Sequence, residues 1–244
     1  MSLALNLRRR VGGPVRRLLL PLWPREGEAW DRAAGVETEE WAAIPDLTVN
    51  DTARADGHPY GPTTPRVVRV SLDAVAAEGR TFIDMGSGRG RVLLMASERP
   101  FRSVVGVEFA AELHESTLEN LRRFPVARMQ CRDVRSVHED AAAYEFPVDP
   151  LVVFFCNPFS EKIMEVVVTN LADSYARHPR PVVVVYHQQV REGKFTTTNN
   201  LKLLDRQAFL TGRTIRSPIR DRPFLMPFIV RVYESREALQ PARY

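Results

Sequence analysis

The chain has 244 residues, of which 44% are hydrophobic and 26% charged, with a formal net charge of +4. This is enough apolar material for a sizeable core, in one large domain or in a domain with an extension, and it excludes a low-complexity or disordered polypeptide. No apolar run approaches the roughly 18 residues that a membrane-spanning helix needs, and the mildly basic isoelectric point, near 9.3, permits an acidic partner without demanding one.

Residues 1 to 25 carry six arginines and no acid, and Leu18, Leu19, Leu20, Leu22 and Trp23 follow the basic part. Two readings stand. One is an arm for a membrane surface or a nucleic acid; the other is a helix whose leucines dock on the domain while its arginines are solvated. Pro21 and Pro24 interrupt the apolar stretch, which argues against a signal peptide. Residues 26 to 46 then reverse the sign, with seven acids against Arg32. The expected division is a basic-then-acidic extension over 1–55 and one domain over 56–244.

Asp56 to Pro65 (DGHPYGPTTP) reads as loop. From Arg66 the spacing of Val67, Val70, Ser71, Ala74 and Val75 predicts a helix that Gly79 ends. Strands and helices then alternate. Strands are expected at Thr81–Met85, Ser103–Glu108, Ala127–Arg132, Leu151–Cys156 and Pro181–His187. Helices are expected at Arg91–Ser97, Ala110–Phe124 and Lys162–Arg177. Leu201–Phe209 and Phe228–Tyr233 suggest a closing antiparallel pair at one edge. Such alternation predicts a mostly parallel sheet with helices on both faces. Cys131 and Cys156 fall in strand-like segments. Two buried thiols in a reducing, cytoplasmic setting fit better than a disulfide, and no metal-ligand spacing is present.

The chemistry concentrates in FIDMGSGRGR, residues 82 to 91. Gly86, Gly88 and Gly90 follow an apolar strand and precede a helix. A bare backbone there lets a ligand approach closely at the carboxyl end of a parallel strand. The dinucleotide fingerprint GxGxxG would place its third glycine where Arg91 stands, which argues against a nicotinamide-dependent oxidoreductase.

Asp84, Gly86, Ser87, Gly88 and Gly90 make D-x-G-x-G-x-G, which resembles motif I of the class I S-adenosylmethionine-dependent methyltransferases. The resemblance covers residues 60 to about 236. It implies a Rossmann-like, doubly wound, seven-stranded α/β sheet, mostly parallel with an antiparallel last strand. It also implies S-adenosylmethionine as cofactor. Glu108, followed by Phe109, matches the acid that takes the ribose hydroxyls in that family; a carboxylate can accept two hydrogen bonds from a vicinal diol. Asp133, in CRDV, matches the acid that meets the adenine amino group, with the backbone near Val134 serving a ring nitrogen. Tyr60, Thr63 and Thr64 in YGPTTP resemble a Y-x-P-T element found in a subset that includes lysine methyltransferases of the seven-strand type, where the loop closes over the methionine part of the cofactor. A plain turn with a packed Tyr is the alternative.

Methyl transfer from a sulfonium requires positioning and exclusion of water, and a base only where the acceptor must lose a proton. Asn157, Pro158 and Phe159 follow the fourth strand and resemble the element of amino-methylating relatives in which the amide oxygen accepts from the target NH. NPFS lacks the second proline and brings the aromatic one residue early, which puts base methylation in doubt. Its alternative reading is a turn with Ser160 as helix N-cap. Tyr186, His187 and Gln188 end the fifth strand, and His187 is a candidate catalytic group. Arg213, Arg216, Arg220 and Arg222 are expected in a loop between the last strands, either as a solvated run or as recognition of an acidic substrate.

The expected function is methyl transfer to a nitrogen acceptor, a protein side chain being favoured. A small-molecule or nucleic-acid methyltransferase is the alternative within the class. Outside it, the alternative is a non-catalytic scaffold anchored by its basic arm.

Overall fold

The computed structural model describes residues 24–44, 47–48, 59–188, 190–191, 194–195, 198–216 and 229–239. The arginine-rich segment 1–23, with Arg220 and Arg222, lies outside the described residues.

Among the described residues two helices precede the sheet, α1 (Pro24–Ala34) and α2 (Pro65–Asp73). Then come β1 (Thr81–Met85), α3 (Arg91–Ser97), β2 (Ser103–Glu108), α4 (Ala111–Arg123), β3 (Val134–His138), β4 (Leu151–Phe155), α5 (Glu161–Arg177) and β5 (Val182–Gln188). A hairpin of β6 (Val190–Arg191) and β7 (Lys194–Phe195) leads into α6 (Thr198–Asp205), β8 (Leu210–Arg216) and β9 (Ile229–Ser235).

Seven strands form one sheet in the order β3-β2-β1-β4-β5-β9-β8. The first five are parallel, and β9 runs antiparallel between β5 and β8. β1, β2 and β4 are buried along their whole length, as continuous apolar runs covered on both faces must be. Pleating sends alternate side chains to opposite faces. Phe82, Val104, Phe154 and Val185 join Trp30, Val68 and Leu94 on one side. Ile83, Val105, Phe155 and Tyr186 join Met164, Leu171 and Leu204 on the other. Trp30, Ala34 and Val36 thus seat the described part of the amino-terminal extension in the core.

Four expectations are corrected. Ala127–Arg132 is not a strand: a single 3-10 turn spans Val126–Arg128, and β3 begins only at Val134. As an edge strand β3 is half-exposed, so it lacks the apolar run that marks its neighbours. Leu201–Phe209 is mostly the helix α6, whose Leu201 and Leu204 are buried three residues apart on one face. α2 ends at Asp73, well before Gly79. Arg213 and Arg216 lie in β8 rather than in a loop; Arg213 donates to Glu234 at 3.1 Å and to the Ala74 carbonyl at 2.7 Å.

α5 begins as expected, with the Ser160 hydroxyl accepting from the Ile163 amide at 3.4 Å. Neither Cys131 nor Cys156 is in a disulfide. Among the described residues, no helix is long and apolar enough to cross a membrane, and no cluster could hold a metal ion.

Candidate cofactor and methyl-acceptor site

The strand order reverses between β1 and β4, and a crevice opens at their carboxyl ends, where open α/β sheets take ligands. It holds a cavity of about 260 Å³. Asp84, Gly86 and Ser87 from the β1 turn line it, with Glu108 and Phe109 from the end of β2 and Asn157, Pro158 and Phe159 from the end of β4. Tyr60 and Thr63 close it from the loop before α2.

The glycine turn is bare because its surroundings leave no room. A side chain on Gly86 (φ +83°) would stand 2.8 Å from Pro158 Cβ, and one on Gly88 (φ +56°) 2.1 Å from the Tyr60 ring. Positive φ adds strain for any other residue. The Gly88 amide donates to Glu108 at 2.7 Å and its carbonyl accepts from the Thr117 hydroxyl at 2.7 Å, so the turn is locked to β2 and α4.

Asp84 and Glu108 are both buried, at 2% and 3% exposure, and neither makes an ion pair among the described residues. Burial, and then the charge of Glu108, push the Asp84 carboxyl well above its ordinary range. Burial also raises Glu108, while the amides of Ala110 and Gly88 hold it down. Two desolvated acids beside a bare turn suit a ligand that brings positive charge and hydroxyl donors.

Asn157 has a left-handed backbone, φ 49°, a conformation Asn tolerates better than most residues. Its Oδ1 accepts from the Tyr186 hydroxyl at 3.1 Å. Tyr186 therefore stands behind Asn157 rather than on the cavity wall. His187 is also set back. Burial pulls its pKa down to about 4, so the ring is neutral near pH 7, and its Nδ1 lies 3.3 Å from Sγ of Cys156, which does line the cavity.

Asp133 and Val134 are not brought to the cavity. Val134 opens β3 opposite Val104 near the start of β2, so both residues lie at the amino end of the sheet, and the Asp133 carboxylate faces Arg135 at 3.5 Å. Register causes this, because a strand that starts at Val134 cannot end at Asp133. The acids that follow the carboxyl end of β3 are Glu139, whose amide donates to the Glu108 carbonyl at 3.0 Å, and Asp140, whose Oδ1 caps the Ala142 amide at 2.9 Å.

A second group escapes sequence reading altogether. Arg91, 2% exposed, donates through Nε to the Thr38 hydroxyl (2.7 Å) and through Nη1 to the Thr63 carbonyl (3.2 Å). It also pairs with Asp31 (3.1 Å) and Glu39 (2.5 Å). The Thr38 carbonyl accepts from the Tyr60 hydroxyl at 2.7 Å, and Ala42 and Tyr60 exchange backbone hydrogen bonds. The extension thereby holds Tyr60 over Gly88 and adds Leu47 to the cavity wall. The only sequence signal was an arginine in the place of a fingerprint glycine.

The strand order, the one reversed strand and the glycine turn after β1 define a Rossmann-like fold of the methyltransferase type. No known family model matches the chain. A solved S-adenosylmethionine-dependent methyltransferase from Methanosarcina mazei is similar in structure, with a TM-score of 0.53 at 10% identity over 71% of this chain and 98% of that one. A precorrin-6y C5,15-methyltransferase from Geobacter metallireducens covers 78% of this chain and 93% of its own, with 16% identity and a TM-score of 0.49. In sequence, 70 residues are 36% identical to the release factor glutamine methyltransferase of Vibrio cholerae; the match covers 28% of this chain and 24% of that protein, about a quarter of its length. The chain therefore has the fold of the class I, seven-strand methyltransferases.

Proposed function

We propose that the chain binds S-adenosylmethionine in the cavity at the carboxyl ends of β1, β2 and β4 and transfers its methyl group to a nitrogen acceptor. The observation that carries the cofactor reading is the pair Asp84 and Glu108, buried beside the glycine turn without ion-pair partners among the described residues. Glu108 would hold the ribose hydroxyls, Asp84 the charged methionine end, and the bare backbone from Gly86 to Gly88 would admit the ligand to contact distance. Bound there, the cofactor supplies an activated methyl group. The protein orients the acceptor and excludes water.

Asp140, following β3, takes in this reading the adenine role that the resemblance assigned to Asp133. Asn157 at the end of β4 supports a nitrogen acceptor, since an amide oxygen can receive a target N–H. The partial likeness to a release factor glutamine methyltransferase supports a protein side chain as its source.

Calorimetric titration with S-adenosylhomocysteine tests the cofactor site. Micromolar binding, weakened by roughly 1–3 kcal/mol in Glu108→Ala, is expected for the loss of hydrogen bonds to a charged group. No binding by the wild-type chain would end the reading. Transfer of labelled methyl only to oxygen or carbon, in digests of protein substrates, would end its nitrogen part.

A further inference from the structure

Behind the cavity, three side chains from three elements form a directed chain of hydrogen bonds. Asn200, in α6 and wholly buried, donates through Nδ2 to the Tyr186 hydroxyl at 3.2 Å. Tyr186, at the end of β5 and equally buried, donates to Asn157 Oδ1 at 3.1 Å.

The direction follows from chemistry. Asn200 Nδ2 also faces the Phe159 carbonyl at 3.4 Å, an acceptor only, so turning the amide over would set oxygen against oxygen. Nδ2 is therefore the donor to Tyr186. The phenol has one proton, and with its oxygen accepting from Asn200 that proton goes to Asn157. The amide of Asn157 is held with its oxygen toward Tyr186, on a residue whose backbone is already left-handed.

Asn200 bears a cost in this arrangement. Its Oδ1 is buried and has no hydrogen-bond partner among the described residues. An apolar side chain in α6 would bury no stranded polar atom of its own, at the loss of the donor to Tyr186 and of the long 3.4 Å contact with the Phe159 carbonyl. A buried asparagine kept at such a position, aimed through a phenol at a cavity residue, points to function rather than packing.

We propose that Tyr186 and Asn200 are positioning residues for methyl transfer, acting on the acceptor through the orientation of Asn157. This rests on the methyltransferase reading above.

Two probes separate the parts. S-adenosylhomocysteine has nothing where the methyl group would be. Sinefungin carries an amine there and senses Asn157. The full-length chain and the variants Asn157→Ala, Tyr186→Phe and the double variant are titrated with both. Expected in Tyr186→Phe are an unchanged affinity for S-adenosylhomocysteine and about tenfold weaker sinefungin binding, the scale of one hydrogen bond to a charged group; in Asn157→Ala, which alters the cavity wall itself, the loss for sinefungin should exceed any loss for S-adenosylhomocysteine by about tenfold. The double variant should be no weaker than Asn157→Ala alone, because the two residues act as one unit. Asn200→Leu, isosteric and unable to donate, should show a smaller loss of the same selective kind, and it serves if Tyr186→Phe does not fold.

Parallel weakening of both ligands, multiplied losses in the double variant, or no selective loss in either Tyr186→Phe or Asn200→Leu would overturn the proposal while leaving the cofactor reading intact. Failure of the wild-type chain to bind either ligand would overturn both.

Discussion

The ring of Tyr60 fills the space that a side chain at Gly88 would need; a Cβ there would lie 2.1 Å from the ring. Two segments 28 positions apart are thus packed together at the turn that lines the cavity. Gly88→Ala should displace Tyr60 and impose left-handed strain of about 1–2 kcal/mol. The expected result is a lower melting temperature and at least tenfold weaker S-adenosylhomocysteine binding. Adding Tyr60→Ala should relieve the clash without restoring affinity. Unchanged binding in Gly88→Ala would show that Tyr60 is not part of the ligand wall.

Asp84 sets stability against binding. Its carboxyl titrates well above the ordinary range in the folded chain, through burial and then the charge of Glu108. In that window the folded state holds more protons than the unfolded one, so the stability of the ligand-free protein falls as pH rises through it. Asp84→Asn should therefore melt higher than wild type at pH 7 and lose that slope. Ligand binding should respond with the opposite sign. The ammonium group of S-adenosylhomocysteine, a net-neutral zwitterion, favours the ionised carboxylate when set beside it, so affinity should rise with pH across the same window in wild type and lose most of that dependence in Asp84→Asn. Calorimetry and thermal melts over a pH series measure both.

The buried cluster around Arg91 differs in kind from the surface pairs. Arg91 and Asp31 side chains are 2% and 9% exposed; removing Asp31 leaves the buried guanidinium with only the more exposed Glu39 as a charge partner and takes the acceptor from the Thr38 and Glu39 amides. Asp31→Ala should cost about 3–5 kcal/mol in urea unfolding. Arg89–Glu40, with the Glu40 side chain 78% exposed, should contribute at most about 1 kcal/mol. Equal effects of Asp31→Ala and Glu40→Ala would contradict this.

The two candidate adenine acids are separable by mutation. Asp133→Ala should leave S-adenosylhomocysteine affinity within about twofold, since that carboxylate lies at the amino end of the sheet facing Arg135. Asp140→Ala should weaken it by roughly 1–3 kcal/mol, the scale for hydrogen bonds to a charged group. The reverse pattern in titrations would restore Asp133 to the site.

Legibility followed burial. β1, β2, β4 and β5 are central strands, and continuous apolar runs announced them. β3 and β8 stand at the two edges, half wet, and their mixed sequences VRSVH and LTGRTIR carry no such run. Misplacing β3 by a whole strand length put Asp133 after the strand instead of before it, at the opposite end of the sheet. α6 was read as a strand because a short apolar stretch has no unambiguous period.

The sequence by itself determined the glycine turn, with Asp84 and Glu108 at the ends of their strands. There the strand, the tight turn and the helix start are local, and each residue type answers to backbone geometry only a few positions away. Only the tertiary structure decided the rest. Arg91 meets Asp31 across 60 positions, and Tyr186 meets Asn157 across 29. Such partners are chosen by how helices and strands pack, and nothing in the spacing of either residue encodes the other.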